Sequence, residues 1–339
     1  MNRRVINQRV RSATPAIAAL AIAMFCATPA SAQLNGENLL GDMGVKSGTQ
    51  PEPGLYFANI YYRYFTDTIK SPDGTRLVLD PTGAGNQTIN ATVPLAIYVS
   101  DKKIFGAHYG MMAVMPFASG SLEAPGFALS EKASFGPSDL YVMPLQLGWH
   151  FKRADAIAGA AFFAPTGRHT AGASDNLGKG MWSYEVSGGT TLYFDKARSI
   201  SIATAAAWET HTKKDGEVRI QNLTVGDVKV GQLLTLEGGA GKSFLHGAAS
   251  IGAAYYAQWK LTSDQVVFSA ANSHVLDVSD KHRVFGVGPD VTIPIATKHR
   301  LISLVNLRYL WETGAQVKTQ GQTMMLTATF PVGGIKIGN

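Results

Sequence analysis

The connections between the amphipathic segments of this chain alternate between short and long, and this alternation limits the folds open to it. The short connections are polar and tight, and the long ones are rich in Gly, Ser, Thr and Asp. The short ones fall at residues 100–103, 153–155, 195–198, 243–246 and 297–299, and the long ones near 67–87, 119–137, 165–181, 211–228, 262–280 and 313–320. Transmembrane β-barrels have this rhythm, because their periplasmic turns are short and their extracellular loops are longer. The pattern predicts an all-β, antiparallel up-and-down barrel in a bacterial outer membrane.

About twelve strand-like segments lie between these connections. They cover residues 54–66, 88–99, 104–118, 138–152, 156–164, 182–194, 199–210, 229–242, 247–261, 282–296, 300–312 and 321–330. An even number suits a single-chain outer-membrane barrel. Lengths of 9 to 15 residues suit tilted spanning strands, whereas strands of soluble proteins most often have about five or six residues.

Alternation along the segments indicates one apolar and one polar face. In the fourth segment one face carries Tyr141, Met143, Leu145, Leu147, Trp149 and Phe151, and the other carries Gln146, Gly148, His150 and Lys152. A soluble β-sandwich would alternate in the same way. That reading needs a second sheet over every apolar face and leaves the regular loop rhythm without a cause, so the barrel is favoured.

Residues 1–32 have the pattern of a signal peptide. An apolar stretch at 16–25 ends near the small-residue site Ala30-Ser31-Ala32, and it is preceded by the positive residues Arg3, Arg4, Arg9 and Arg11. Subtracting these four arginines from the net charge of +6 leaves +2 for the exported chain, so its charge gives no reason to expect nucleic acid as a partner. The single cysteine, Cys26, lies within residues 1–32, which leaves no thiol chemistry for the exported part.

Two further segments flank the predicted barrel of residues 54–330. Residues 33–53 contain Leu39, Leu40, Met43 and Val45 and end in Pro51-Glu52-Pro53. They fit a periplasmic arm, a plug in the lumen or a disordered tail. Residues 331–339 follow the terminal aromatic Phe330, where outer-membrane assembly signals commonly end, and form a short C-terminal tail.

Ionisable and amide side chains on the polar faces are the candidate lumen-lining residues. Charge on the lipid face costs about 2–4 kcal/mol for Arg or Lys at the bilayer midplane, so these groups should face inward. The candidates are Gln146, His150, Glu185, Glu209, Glu237, Gln258, Lys260, Asn306, Arg308 and Glu312. They would form either a structural network that fills a narrow barrel or a polar constriction that filters solutes.

The long connection at 165–181 is dense in turn-forming residues. It is either an ordinary surface loop or a constriction loop folded into the lumen, and its candidate residues are Arg168, His169, Asp175 and Asn176.

Other motifs carry no chemistry. Residues 237–243 (EGGAGKS) look like a phosphate-binding loop, but Leu236 stands where that motif needs its first glycine. The histidines have no HxH or HExxH spacing, and nothing resembles G-x-S-x-G. The sequence therefore predicts no metal, no cofactor and no catalytic residue.

Seven motifs in chain order resemble a known bacterial family. They are GPSDLYVMPLQLGWH at 136–150, APTGR at 164–168, NLGKGMW at 176–182, LEGGAGK at 236–242, GAAYYAQ at 252–258, GVGP at 286–289 and RYLWE at 308–312. The chain resembles the "putative meta-pathway of phenol degradation" proteins, the SphA-like outer-membrane transporters. The resemblance covers nearly all of the chain after residue 32, and it implies an outer-membrane barrel associated with uptake of aromatic or other hydrophobic compounds.

Together these features predict a passive outer-membrane channel for small hydrophobic or aromatic solutes, and not an enzyme. The expected partners are outer-membrane lipid, the solute and the barrel-assembly machinery. The alternative is a structural or surface-binding barrel whose lumen is occluded.

Overall fold

A closed antiparallel barrel forms the body of the protein. The computed structural model describes residues 35–78, 85–125, 129–171, 173–216, 218–220, 223–269, 274–278, 281–297, 300–332 and 335–336. The predicted signal peptide lies outside the described residues. Twelve of the described strands make up the barrel: β1 (Gly54–Thr66), β2 (Asn86–Ile104), β3 (Ala107–Val114), β4 (Leu140–His150), β5 (Ala154–Ala164), β6 (Ser183–Tyr193), β7 (Ile200–His211), β8 (Leu233–Phe244), β9 (Ala249–Lys260), β10 (Arg283–Ala296), β11 (Arg300–Gln316) and β12 (Gln322–Pro331).

Neighbouring strands in the chain are neighbours in the sheet, and the first and last strands close it. β1 pairs with β2 from Gly54 opposite Val99, and on its other edge it pairs with β12 from Tyr56 opposite Pro331. Closure leaves no free edge among these strands, so every spanning backbone group can find a partner where water is absent. The predicted fold class is confirmed.

Alternation along each strand places one face against lipid. In β1, Leu55, Phe57 and Phe65 are exposed, while Tyr56, Ile60 and Tyr64 point away from solvent and are buried. The same alternation leaves Ile200, Ile202 and Trp208 of β7 on the outer surface. These exposed apolar side chains form the band that hydrocarbon would cover.

The first short connection differs from its prediction. Residues 100–103 belong to β2, and the chain turns at Phe105 and Gly106, whose φ angles are 51° and 78°. Two consecutive positive φ values are those of a type I′ hairpin turn. The polar residues Asp101, Lys102 and Lys103 form an exposed strand end beyond the lipid band, although their composition is typical of a turn. A 3-10 helix (Leu245–Gly247) forms another short connection.

The expected loop at 119–137 is wrong, because most of it is a β-hairpin. Phe117–Ala124 pairs with β2, and Leu129–Pro137 pairs with Phe117–Ala124. This hairpin prolongs the barrel wall above the lipid, where no apolar face is needed. Its Ser- and Gly-rich sequence therefore lacks the alternation by which the spanning strands were recognised.

Other long connections also contain strands. Thr68–Lys70 pairs with Arg76–Val78 and with Lys318–Thr319. A second small sheet consists of Val218–Ile220, Leu223–Lys229, Asp264–Ser269 and His274–Val278. Beyond β12, Ile335–Lys336 pairs antiparallel with Leu301 and Arg300 of β11, in the same direction as β12. No helix within the described residues is long and apolar enough to span a membrane.

Candidate functional site in the barrel lumen

Residues 35–53, here called the lumen segment, run through the inside of the barrel. Near the long-loop end, the Lys179 ammonium group donates to the carbonyl oxygen of Asn35 at 3.2 Å. Near the short-turn end, Gln50 Nε2 donates to Gln146 Oε1 at 3.1 Å. Contacts at both ends mean that the segment spans the lumen before β1 begins at Gly54.

Carboxylates on the barrel wall accept hydrogen bonds from the backbone of the lumen segment. The segment has no regular secondary structure of its own to satisfy its N–H groups, so these groups need other acceptors. The bonds are Glu37 N to Glu209 Oε1 (2.6 Å), Gly41 N to Glu237 Oε1 (2.8 Å), Met43 N to Glu237 Oε2 (3.0 Å) and Val45 N to Asp290 Oδ2 (3.4 Å). Three strands, β7, β8 and β10, thus hold the segment in register.

A buried ion pair supports the middle of the segment. Arg308 Nη2 lies 2.8 Å from Asp290 Oδ2, and Arg308 Nη1 donates to the carbonyl oxygen of Gly41. Asn306 Nδ2 donates to the other oxygen of Asp290 at 2.6 Å. The pair is hydrogen-bonded on both sides, as charges in a water-poor interior require.

A second network holds the segment at the short-turn end. Asp155 accepts hydrogen bonds from Thr49 Oγ1 at 3.0 Å and Tyr193 OH at 2.6 Å, and it also contacts Arg198. His150 Nδ1 lies 3.1 Å from Asp155 Oδ1. The fully buried Asp155 therefore links Thr49 of the segment to β4, β6 and the turn that follows β6.

The glycine-rich stretch that looked like a phosphate loop is a docking surface for the segment. A Cβ at Gly239 would lie 3.1 Å from the Cα of Val45, and a Cβ at Gly252 would lie 2.7 Å from Val45 Cγ1. Side chains at these wall positions would exclude Val45. Glycine here allows the segment's backbone to approach β8 and β9 closely.

A cavity of about 480 Å³ lies between the lumen segment and the wall. Part of its lining is apolar and belongs to two packed clusters of side chains that share Val114 and come mainly from β1 to β5. The apolar lining includes Leu39, Leu40, Ile60, Val93, Leu95, Met112, Val114, Tyr141, Met143 and Phe163. A cavity of this size and character fits a small organic molecule.

The polar part of the cavity lining includes six of the ten predicted lumen residues. These six are Gln146, Glu185, Glu237, Gln258, Lys260 and Glu312. Several have partners within the wall: Lys260 Nζ lies 2.6 Å from Asp264 Oδ2, and Glu312 Oε1 accepts from Tyr256 OH at 2.6 Å. Of the other four, Glu209 and Arg308 bond to the lumen segment, Asn306 supports Asp290, and His150 supports Asp155.

Two residues of the apolar lining, Tyr141 and Met143, escape the sequence pattern because of an irregularity at Pro144. Pairing shifts between Val142 and Leu145, and upstream of that point Tyr141 and Met143 face the lumen. Leu145 faces outward and is exposed. The assignment of Tyr141, Met143 and Leu145 to a single face is therefore wrong, because a β-bulge inverts the alternation.

The loop at 165–182 lies over the long-loop end of the cavity. Of its predicted residues, Asn176 lines the cavity, and its amide holds the backbone of Thr170 at 2.7 Å and 2.8 Å. Arg168 pairs with Asp175 at 3.3 Å and donates to the carbonyl oxygen of Ser134 at 2.7 Å. His169 packs against Gly180. Only Asn176 of these four reaches the cavity.

Two lysines above the barrel sit in surroundings that disfavour their charge. Burial lowers the pKa of both Lys214 and Lys318 to about 7. Lys214 Nζ donates to the carbonyl oxygen of Lys179 at 3.0 Å, and Lys318 lines the cavity. Among the described residues, no group of three or more His, Cys, Asp and Glu side chains is placed to hold a metal ion.

A closed twelve-stranded barrel with an apolar outer surface and an internal cavity defines the protein as an outer-membrane β-barrel. The family model described as "Putative MetA-pathway of phenol degradation" matches residues 66–328, and the chain belongs to this family. The resemblance noted in the sequence is thereby confirmed. No curated protein sequence matches the chain.

Solved structures with the same architecture include an outer-membrane channel from Pseudomonas putida F1. The match has a TM-score of 0.67 at 13% identity and covers 87% of this chain and 99% of the channel. The transport unit of the Escherichia coli autotransporter AIDA-I matches with a TM-score of 0.45 at 11% identity, covering 83% and 91%. A mutant of the monoaromatic hydrocarbon channel TodX matches with a TM-score of 0.44 at 9% identity, covering 83% and 90%.

Proposed function

We propose that the protein is a passive outer-membrane channel through which small hydrophobic or aromatic compounds enter the cell. The observation that carries this proposal is the apolar inner wall of the cavity. A channel for ions or sugars is lined by polar groups, whereas here Ile60, Val93, Met112 and Val114 face the inside of the barrel. Such a wall favours solutes that leave water readily.

The family's description, which refers to phenol degradation, and the channel activity named for the Pseudomonas putida protein agree with this proposal. Passage through a channel makes and breaks no bond, so the proposal needs no catalytic residue and no cofactor. The partners are the lipids around the exposed apolar band, the solute, and the barrel-assembly machinery that would insert the protein.

Uptake by cells that lack the native gene tests the proposal. Radiolabelled toluene or phenol uptake is measured with the wild-type protein, with Val114→Trp and with Ala113→Trp. Val114 faces the cavity, whereas the adjacent Ala113 is exposed on the outer face. We expect Val114→Trp to reduce uptake because the indole fills the cavity, and Ala113→Trp to leave uptake unchanged. Wild-type uptake no higher than that of the deletion strain would overturn the proposal.

The alternative, a barrel without transport, is favoured by the number of hydrogen bonds that hold the lumen segment in place. Single-channel conductance in planar bilayers separates the two. A transport protein should show channel openings with the lumen segment in place, and these should become longer when residues 35–50 are deleted. A purely structural barrel should show no openings while the segment is in place, and neither the wild-type protein nor the deletion variant should support solute uptake.

A further inference from the structure

One carboxylate of the cavity is only half satisfied. Glu185 lies on β6, lines the cavity and is 5% exposed. Its Oε1 accepts a hydrogen bond from Tyr141 OH at 3.1 Å. Its Oε2 is buried and has no hydrogen-bond partner among the described residues. A buried polar atom left without a partner costs about 1–3 kcal/mol, so a ligand that supplies the missing bond gains from it.

Glu185 stands opposite Glu209 of β7, and on the side of Tyr141 its surroundings are apolar and aromatic. Tyr141 packs against Phe163 with ring centroids 4.6 Å apart, and Met143 and Met112 belong to the same cluster. A flat ring can lie against these side chains while a polar substituent on it reaches the carboxylate. Rings and thioether sulfurs make favourable contacts of this kind.

Side chains of both charge signs line the cavity, so an anion or a cation would meet groups of its own sign. Carboxylates of Glu37, Asp42, Glu237 and Glu312 also line it and oppose an anion, while Lys179, Lys260 and Lys318 oppose a cation. Two more carboxylate oxygens of lining residues, Glu37 Oε1 and Glu131 Oε2, have no hydrogen-bond partner among the described residues. The cavity thus offers hydrogen-bond acceptors to a neutral molecule.

We propose that Glu185 Oε2 is the subsite for the hydroxyl group of a neutral hydroxylated aromatic solute, with phenol as the simplest member. The ring lies against Tyr141, Met143 and Met112. A hydroxyl suits this position in either protonation state of Glu185, because it donates to a carboxylate and accepts from a carboxylic acid. This assignment rests on the proposed function and adds the substrate class to it.

Glu312 offers an internal comparison. It lines the same cavity, but Oε1 accepts from Tyr256 OH at 2.6 Å, and Oε2 accepts from Tyr64 OH at 2.9 Å and Gly321 N at 2.6 Å. Both of its oxygens are satisfied, so it gains nothing from a ligand hydroxyl.

The test compares two probes that differ in one group, 4-fluorophenol and 4-fluorotoluene. Their binding to the purified full-length barrel in amphipol is measured by ¹⁹F NMR titration, with empty amphipol as the blank. The decisive pair of variants is Tyr141→Phe and Tyr141→Phe/Glu185→Met. The first keeps the carboxylate, and the second removes it without leaving the Tyr141 hydroxyl unpartnered.

We expect the ratio of 4-fluorotoluene Kd to 4-fluorophenol Kd to fall about tenfold between these two variants, which is the loss of one hydrogen bond of about 1.4 kcal/mol. Retained 4-fluorotoluene binding shows that the cavity is intact. Glu312→Gln should leave the ratio within about twofold of the wild-type value, because it adds no new acceptor for the ligand.

The outcomes of the titration separate the Glu185 subsite assignment from the proposed channel function. If 4-fluorotoluene binds equally well and the ratio is the same in both variants, the subsite assignment is wrong while the hydrophobic cavity stands. If neither probe binds the wild-type protein, the proposed function fails, and the subsite fails with it. Tighter binding of 4-fluorobenzoate or 4-fluorobenzylammonium than of 4-fluorophenol would overturn the assignment to a neutral solute.

Discussion

Glu237 should control how tightly the lumen segment is held. Its two oxygens accept the backbone N–H groups of Gly41 and Met43 at 2.8 Å and 3.0 Å, and the carboxylate is buried. In Glu237→Leu both N–H groups lose their acceptor. Each buried N–H without a partner costs about 1–3 kcal/mol, so the bound state loses at least about 2 kcal/mol. At about 1.4 kcal/mol per tenfold, the displaced population should rise about 30-fold.

A cysteine at Ser47 reports on this displacement. Ser47 is 7% exposed, and the substitution Ser47→Cys changes little in volume. Because Cys26 lies in the predicted signal peptide, Ser47→Cys should be the single thiol of the exported protein. The rate of maleimide labelling in detergent then follows the fraction of molecules in which the segment has left the wall.

Three substitutions, each combined with Ser47→Cys, make the labelling assay quantitative. Glu237→Leu should raise the labelling rate about 30-fold, and Glu237→Gln should raise it less because the amide oxygen still accepts one bond. Thr235→Val is the matched control, since Thr235 lies on the same face of β8 and hydrogen-bonds Gln258 instead of the lumen segment. Rates within about twofold of the parent in both Glu237 variants would refute the view that this carboxylate holds the segment.

Three further outcomes follow from the same structure. A cysteine replacing the exposed Ser174 should label from outside intact cells and one replacing the exposed Lys102 should not, and the opposite pattern would reverse the sidedness of the barrel. Gly48→Ala should lengthen channel openings in planar bilayers, because the new Cβ would lie 2.1 Å from the backbone of Thr190; unchanged openings would show that the segment tolerates the displacement. Burial lowers the pKa of Lys214 to about 7, so between pH 7 and its ordinary value of 10.5 the unfolded chain binds more protons and stability rises with pH. The midpoint of urea unfolding in detergent should therefore increase from pH 7 to pH 9, and Lys214→Met should reduce that increase; equal slopes in the two proteins would contradict the assignment to Lys214.

The spanning strands could be predicted from sequence because lipid imposes a local pattern. A strand that crosses hydrocarbon must show apolar side chains at every second position, and this signal is readable within ten residues. β1 was predicted at 54–66 and is found at Gly54–Thr66. The sequence also identified the family through seven motifs spread over the chain; five of them contribute to β4, β8, β9, β10 and β11, and the other two lie almost entirely in the connection between β5 and β6.

Features without a local pattern could not be predicted. The hairpin at 117–137 lies above the lipid and shows no apolar alternation, so its residues were mistaken for a loop. The shift at Pro144 inverts the faces of Tyr141 and Met143, and a single-residue slip cannot be seen in a pattern of period two.

The amino-acid sequence by itself determined the barrel, its strand number and its place in the outer membrane, because these depend on the chemistry of successive residues. Only the tertiary structure decided what fills the lumen. Residues 35–53 were equally consistent with an arm, a plug or a tail, and they lie inside because Glu209, Glu237, Asp290 and Asp155, which come from four different strands, converge on their backbone and on Thr49. The apolar wall and the half-satisfied Glu185 likewise arise from strands far apart in the chain. Such sites depend on which residues closure brings together, and no short stretch of sequence contains that information.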